Sequence, residues 1–378
     1  MLTLPNLSLY IHIPWCVKKC PYCDFNAHVL LDNIPEDQYI YHLFNDLQLD
    51  IPLISNRKVD TIFIGGGTPS LLSVKTIQRL LHGIREHLEL SNNVEITIEA
   101  NPQALEIERF YGYANAGINR ISVGIQSFQE DSLKQLGRMY SAHEAKKAVK
   151  TLSALNLHSF NLDLMHGLPN QSPENALNDL NIAIALNTPH LSWYQLMIEP
   201  CTLFSAKTPE LPNEDELWKI FEKGHKLLAV SGYQQYEISS YSKPSYLCAH
   251  NLNYWRFGDY IGIGCGAHGK LTQLDGSIIR TSKTRHPRKF MSSNYLCKRF
   301  TVSNHSKPLE FFMNRFRLLE EIPRHEYMSY TRLSEDSIRT PIEIAIKKGF
   351  LTETTESWKV TKKGHLFLNC MLELFLMD

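Results

Sequence analysis

Three cysteines crowd near the start of the chain in Cys16-Val-Lys-Lys-Cys20-Pro-Tyr-Cys23, a C-x3-C-x2-C spacing that directly follows the apolar run Ser8–Pro14. A [4Fe–4S] cube has four irons and normally takes four thiolates, so three thiolates on one loop leave one iron open to another ligand. The competing chemistry is a zinc site, which wants a fourth Cys or His with its own paired spacing. His28, five residues beyond Cys23, is the nearest candidate. Cys201, Cys248, Cys265, Cys297 and Cys370 are scattered, and a disulfide framework is not expected of a long chain without an export signal.

Other residues with chemical potential stand where apolar runs stop. Gly65-Gly66-Gly67-Thr68-Pro69 follows Thr61–Ile64. It reads either as a tight turn or as backbone that approaches a ligand closely; no Gly-Lys-Ser/Thr follows to make it a phosphate loop. Glu99 ends a third run, and a carboxylate there can accept hydrogen bonds from both hydroxyls of a ribose. Gln126 ends a fourth, Arg138 lies in Leu-Gly-Arg-Met-Tyr, and Asp163 in Asn-Leu-Asp-Leu-Met-His-Gly. Singly, each is ordinary; together they gather at strand ends, where a barrel builds its site. Further on stands His250-Asn-Leu-Asn-Tyr254-Trp255. A neutral imidazole can ligate haem iron, and aromatic rings can stack on a porphyrin. The alternative is a loop whose His satisfies backbone groups while Trp packs in a core.

The elements that must position these residues recur about every 30 residues, the length of a βα unit. Strand candidates are Ser8–Pro14, Thr61–Ile64, Glu95–Glu99, Arg120–Gln126, Phe160–Met165 and His190–Met197. Helical stripes lie between them, as in Tyr39, Ile40, Leu43, Phe44 and Leu47. Near-continuous apolar strands suit a parallel sheet covered by helices. Six units are too few for a closed eight-stranded barrel, so an incomplete (β/α)6 TIM-like barrel is expected, with a doubly wound sheet as the alternative. The expected division is a core barrel over 1–240, a connecting segment with little periodicity over 241–300, and a small winged-helix-like α+β module over 301–378.

Lys+Arg and Asp+Glu balance at 39 each, so net charge gives no reason to expect a nucleic-acid partner. No apolar stretch is long enough to cross a bilayer, which leaves contact with a membrane surface as the remaining option. The opening residues show no charged leader followed by an apolar stretch. A soluble, cytoplasmic protein is expected.

The triad with its flanking Tyr10-Ile-His-Ile-Pro resembles the radical S-adenosylmethionine (SAM) proteins, in the branch of the oxygen-independent coproporphyrinogen dehydrogenases and their haem-chaperone relatives. The resemblance runs from about Leu7 to the C-terminus. It implies a radical SAM barrel in which Cys16, Cys20 and Cys23 hold a [4Fe–4S] cluster and SAM fills the open iron position. By this resemblance Tyr10, Gly66 and Glu99 serve the cluster-bound SAM. Tyr22, Gly67, Thr68, Gln126, Arg138, Asp163 and Met197 line a second SAM pocket. The dehydrogenases carry a fourth cysteine two residues after the triad, where this chain has Phe25, and a long extension before it, where only nine residues precede Tyr10. The H-N-x-x-Y-W run instead matches the haem chaperones, which makes His250, Tyr254 and Trp255 candidate haem-binding residues. The partners so implied are haem, an acceptor protein for it, and an electron donor for the cluster. A dehydrogenase, or another radical SAM enzyme, is the alternative.

Overall fold

Leu7, Leu9, Ile11 and Ile13 are fully buried, and so are Ser8 and His12 between them. Strand β1 (Leu7–Ile13) is therefore covered on both faces in the computed structural model, which describes residues 4–376. It lies inside a parallel array with β2 (Val59–Gly66), β3 (Leu90–Ala100), β4 (Arg120–Gln126), β5 (Ser159–His166) and β6 (His190–Gln195). These are the six expected strands, in sequence order across the sheet. Amphipathic helices return the chain between them. They include α1 (Glu36–Asp50), α2 (Val74–His87), α3 (Ala104–Ala116), α4 (Ala142–Ala154), α5 (Pro173–Ala185) and α6 (Glu214–Val230).

Local sequence sets several of these starts. Ser141 and Glu144 form a reciprocal capping box at α4, and Asn213 with Glu216 forms another at α6. Each satisfies backbone N–H groups that the first turn leaves without intrahelical partners. Ser73 accepts from the Thr76 N–H at α2.

The segment 241–300 is not a loose connector. After β7 (Ser240–Ser242), antiparallel to β6, comes helix α7 (Ala249–Trp255). Then β8 (Asp259–Ile263) returns across the fold to pair in parallel with the far side of β1. β9 (His268–Thr272), β10 (Ile278–Lys283) and β11 (Leu296–Thr301) extend the same sheet antiparallel. The sheet ends at β11 on one side and at Gln234–Gln235 on the other, so the barrel stays open. Glycines hide β8 and β9 from a periodicity reading: a Cβ on Gly262 would lie 1.8 Å from the His268 carbonyl oxygen. Glycine inside a strand often marks such a close backbone approach.

Buried cations tie this extension down. Lys283 donates to Asp46 and Asp50 of α1 at 2.6 and 2.7 Å, and Lys270 pairs with Asp259 at 2.8 Å, all five charges buried. Removing one partner from such a pair leaves an uncompensated buried charge, at a cost of about 3–5 kcal/mol.

The C-terminal module has its own apolar core around Phe311, Phe312, Phe316, Tyr327 and Trp358. Helices Lys307–Arg315, Arg324–Thr331 and Arg339–Lys347 precede the antiparallel hairpin Leu351–Glu353 and Ser357–Val360, whose second strand also pairs with Ile322–Pro323. This is the order of a winged helix. Phe257, Ile278 and Val302 of the preceding segment join the same core, so the module grows from the sheet extension.

Candidate functional site

The three cysteines occupy a loop fastened on both sides. Trp15–Cys16 pairs in parallel with His28–Val29, closing the loop at its base. On one flank the N–H groups of Gly67 and Thr68 donate to the carbonyls of Ile13 and Trp15, both at 2.7 Å. A Cβ on Gly67 would lie 2.4 Å from the Trp15 carbonyl oxygen, so only glycine allows this approach. On the other flank Asn26 donates to the Cys265 and Arg285 carbonyls, at 2.9 and 3.0 Å. The glycine run therefore acts first as a clamp. With these donors used, what the loop can still offer an ammonium group is carbonyl oxygen.

Cys16 is buried, while Cys20 and Cys23 are partly exposed. Burial, then the neighbouring Cys23 and Cys20, pushes the Cys16 thiol up to about 11, and burial also raises Cys23. Ligands of this kind bind iron as thiolates, so loading the site must release protons. His28 turns its Nε2 to the Arg285 carbonyl oxygen at 2.9 Å and takes no part in the cavity wall, which removes the zinc reading's nearest fourth ligand.

The cysteines open onto a cavity of about 490 Å³ that runs from the C-terminal ends of the parallel strands down to Ser122 and Ser192 inside the barrel. Gly66, Gly67, Thr68 and Glu99 line it, as do Tyr22, Gln126, Arg138, Asp163 and Met197. The sequence-predicted SAM residues thus converge on one space, with the exception of Tyr10. Glu99 accepts the Gly66 N–H at 3.0 Å. Burial, with the nearby Asp163 charge, pushes its pKa up to about 8. Gln126 stands at φ +63, next to a register shift between β4 and β5, and the Tyr194 hydroxyl donates to its Oε1 at 3.1 Å. Such an irregularity re-aims a side chain out of the ladder. Arg138 donates to the Tyr22 hydroxyl at 2.5 Å and to Asn101 Oδ1 at 3.2 Å, its guanidinium also facing the rings of Tyr22 and Tyr140. Asp163 accepts from Asn161 and Ser122, and burial raises its pKa.

Tyr10 lies one layer down, its hydroxyl 3.0 Å from His12 Nδ1 and its ring stacked on Phe63. His250 and Tyr254, the candidate haem-binding residues, also lie away from the cavity wall. His250 is only 1% exposed. Its Nδ1 meets Thr61 Oγ1 at 2.7 Å, its Nε2 meets the Tyr254 hydroxyl at 3.1 Å, and Phe63 stacks on its ring. Both nitrogens are spent, so in this conformation the imidazole has no lone pair to give a metal. Burial, with Arg120 nearby, lowers its pKa to about 3, so it stays neutral. Its backbone N–H donates to Glu95, which holds the start of α7.

The other face of α7 does reach the cavity: Asn251 and Trp255 line it. So do residues with no sequence signal for the site, among them Ser192, Tyr194, Glu237, Ser239 and Arg317. Asn101 is the exception, since it sits two residues after Glu99 in Glu-Ala-Asn-Pro.

An open parallel barrel, a three-cysteine loop after its first strand, and carboxylate, amide and guanidinium groups on the facing strand ends define a SAM-dependent iron–sulfur protein of the radical type. The donor set fits the group: three thiols share a wall with one small-molecule cavity. In this class the reduced cluster supplies the electron that cleaves a carbon–sulfur bond of SAM. A model of the Radical SAM superfamily matches residues 10–181. The chain is 61% identical over 378 residues to "Heme chaperone HemW" of Escherichia coli (strain K12), covering all of both chains. It is 56% identical to the Haemophilus influenzae protein of the same name, with 99% of each covered. Among solved structures, the coproporphyrinogen III oxidase HemN of Escherichia coli aligns with a TM-score of 0.84 at 23% identity, over 98% of this chain and 90% of that one, a likeness of fold. The chain belongs to the HemW family within the radical SAM superfamily. Among the described residues, no helix is long and apolar enough to cross a membrane.

Proposed function

We propose that this protein is a haem chaperone, which binds haem and passes it to an acceptor protein on a scaffold that carries a [4Fe–4S] cluster and SAM. The full-length similarity to proteins called haem chaperones carries the reading. Phe25 supports it: where the dehydrogenases have a fourth cysteine, this side chain stands 61% exposed at the cavity, an apolar face rather than a reactive thiol. Cys16, Cys20 and Cys23 hold the cluster, and Gly66 and Glu99 serve SAM, with Tyr10 bracing the wall from beneath. Tyr22, Gly67, Thr68, Gln126, Arg138, Asp163 and Met197 complete the same cavity. Its volume of about 490 Å³ is within the range of small-molecule sites. Trp255 meets the ligand, while His250 and Tyr254 keep α7 in place. An electron donor reduces the cluster, the acceptor is a haem protein, and the setting is the cytoplasm, where contact with a membrane surface stays open to haem delivery.

The test is an anaerobic haem titration followed by absorbance. A saturable Soret shift at one haem per chain is the expected result, and a wild-type protein that gives none would falsify the chaperone reading. Conversion of coproporphyrinogen III to protoporphyrinogen IX by the reconstituted protein would restore the dehydrogenase.

A further inference from the structure

The inner wall of the cavity is finished by the C-terminal module. Its segment after helix Lys307–Arg315 crosses to the barrel, where the Leu319 N–H donates to the Tyr236 carbonyl at 3.0 Å and Leu318 bridges to Glu237. Glu320 receives Arg256, the residue that ends α7, through two bonds at 2.9 and 2.6 Å. Between these anchors Arg317 enters the cavity wall, its guanidinium 4.3 Å over the ring of Trp255.

Two donors there have nothing to bind. Glu237 accepts from Arg317 Nη2 at 3.0 Å, yet Arg317 Nε is buried without a partner, and so is Trp255 Nε1. A buried unsatisfied donor is costly and asks for an explanation. Both belong to stacked neighbours that line the ligand cavity, one of them carrying a positive charge; the two nitrogens themselves are covered, so a ligand reaches them when these side chains turn outward. A carboxylate, with several lone-pair sites and a preference for charged donors, satisfies both.

Resting on the haem reading above, we propose that Arg317 and the indole N–H of Trp255 form a carboxylate subsite that takes a propionate arm of the porphyrin. In this arrangement the ring lies toward the mouth and one arm reaches inward. The C-terminal module is thus a part of the binding site and more than a cover over it.

Haem and haem dimethyl ester, whose propionates are blocked, are titrated into the full-length protein and into Arg317→Ala and Trp255→Phe. Trp255→Phe keeps an aromatic ring under Arg317, smaller than the indole, and removes the donor. Because Arg317→Ala strands the buried Glu237, Arg317→Ala/Glu237→Gln is measured beside it. A charged hydrogen bond of this kind is worth roughly tenfold or more in Kd. Haem affinity is expected to fall about tenfold with the Arg317 variants and a few-fold with Trp255→Phe. The ester should bind wild type as weakly as haem binds the variants, with no further loss when variant and ester are combined. Wild-type haem affinity in both Trp255→Phe and the double variant would overturn the subsite. So would an ester penalty that persists undiminished in them. If wild type binds neither ligand, the haem reading falls, and the subsite with it.

Discussion

The strand-end rim and helix α7 both carry residues that invite a ligand, yet they use them in opposite ways. Glu99 and Gln126 stand where their strands stop, Asp163 three residues before the end of β5 and Arg138 in the loop beyond β4, and all four open on the cavity. On α7 one helical face, His250 and Tyr254, is turned into the barrel and locked to Thr61 and Phe63, while the adjacent face, Asn251 and Trp255, is on the cavity. A strand end declares its direction through topology, since a barrel has one rim for such residues. A short helix does not: its spacing groups residues by face without saying which face meets the ligand.

The sharpest break in this comparison is at the rim. Cys20→Ala removes one of three cluster thiolates, and iron content after anaerobic reconstitution is expected to drop to near background, while the fold, judged by circular dichroism, is retained. His250→Ala breaks the other side. It removes the side-chain partner of the Tyr254 hydroxyl, leaves Thr61 with Ser8 alone and opens a void under Phe63, and should cost about 2–4 kcal/mol in denaturant unfolding. Trp255→Phe, one turn on, should leave stability within about 1 kcal/mol. Equal destabilisation by the two would mean that the faces of α7 are not divided as described.

Glu99 gives a smaller and more graded effect. Its carboxyl is raised from 4.5 to about 8 in the folded chain. A raised acid favours its neutral form on folding, so its contribution is full below pH 4.5 and is lost as pH rises through about 8. SAM, a cation with ribose hydroxyls to donate, favours the ionised form. Its affinity should therefore climb up to tenfold per pH unit toward 8 and flatten above it, and calorimetry on Glu99→Gln should show that slope gone. The smallest effect belongs to His28→Ala: iron content per chain should match wild type, and a loss of metal would return His28 to the ligand set.

Much of the fold was legible because βα units announce themselves. Arg120–Gln126 and His190–Gln195 are apolar runs bounded by turn residues, and burial on both faces leaves them few alternatives. The strand Asp259–Ile263 was not, because Gly258, Gly262 and Gly264 carry no side chain to reveal a period, and its parallel partner lies at the other end of the chain. At the site, the cysteines and rim residues could be read from type and spacing. The direction of His250 could not be read, because a histidine in an aromatic setting looks the same whether it faces a ligand or a threonine. Arg317 gave no sign at all, since nothing near it in sequence relates to the barrel; only the module's docking brings it to Trp255.

The clamp on the cysteine loop sets an order of events during synthesis. Asn26, three residues past Cys23, is held by carbonyls 239 and 259 residues farther along. At about 5–20 residues per second, the ribosome delivers those carbonyls some ten seconds or more after the cysteines emerge. Until then the loop is fastened at its base and on one flank, and the Asn26 side is open. Completion of the frame is thus a late step of biogenesis, and a chain truncated before residue 265 offers iron all three cysteines on a loop fastened only at its base and on the Gly67 flank.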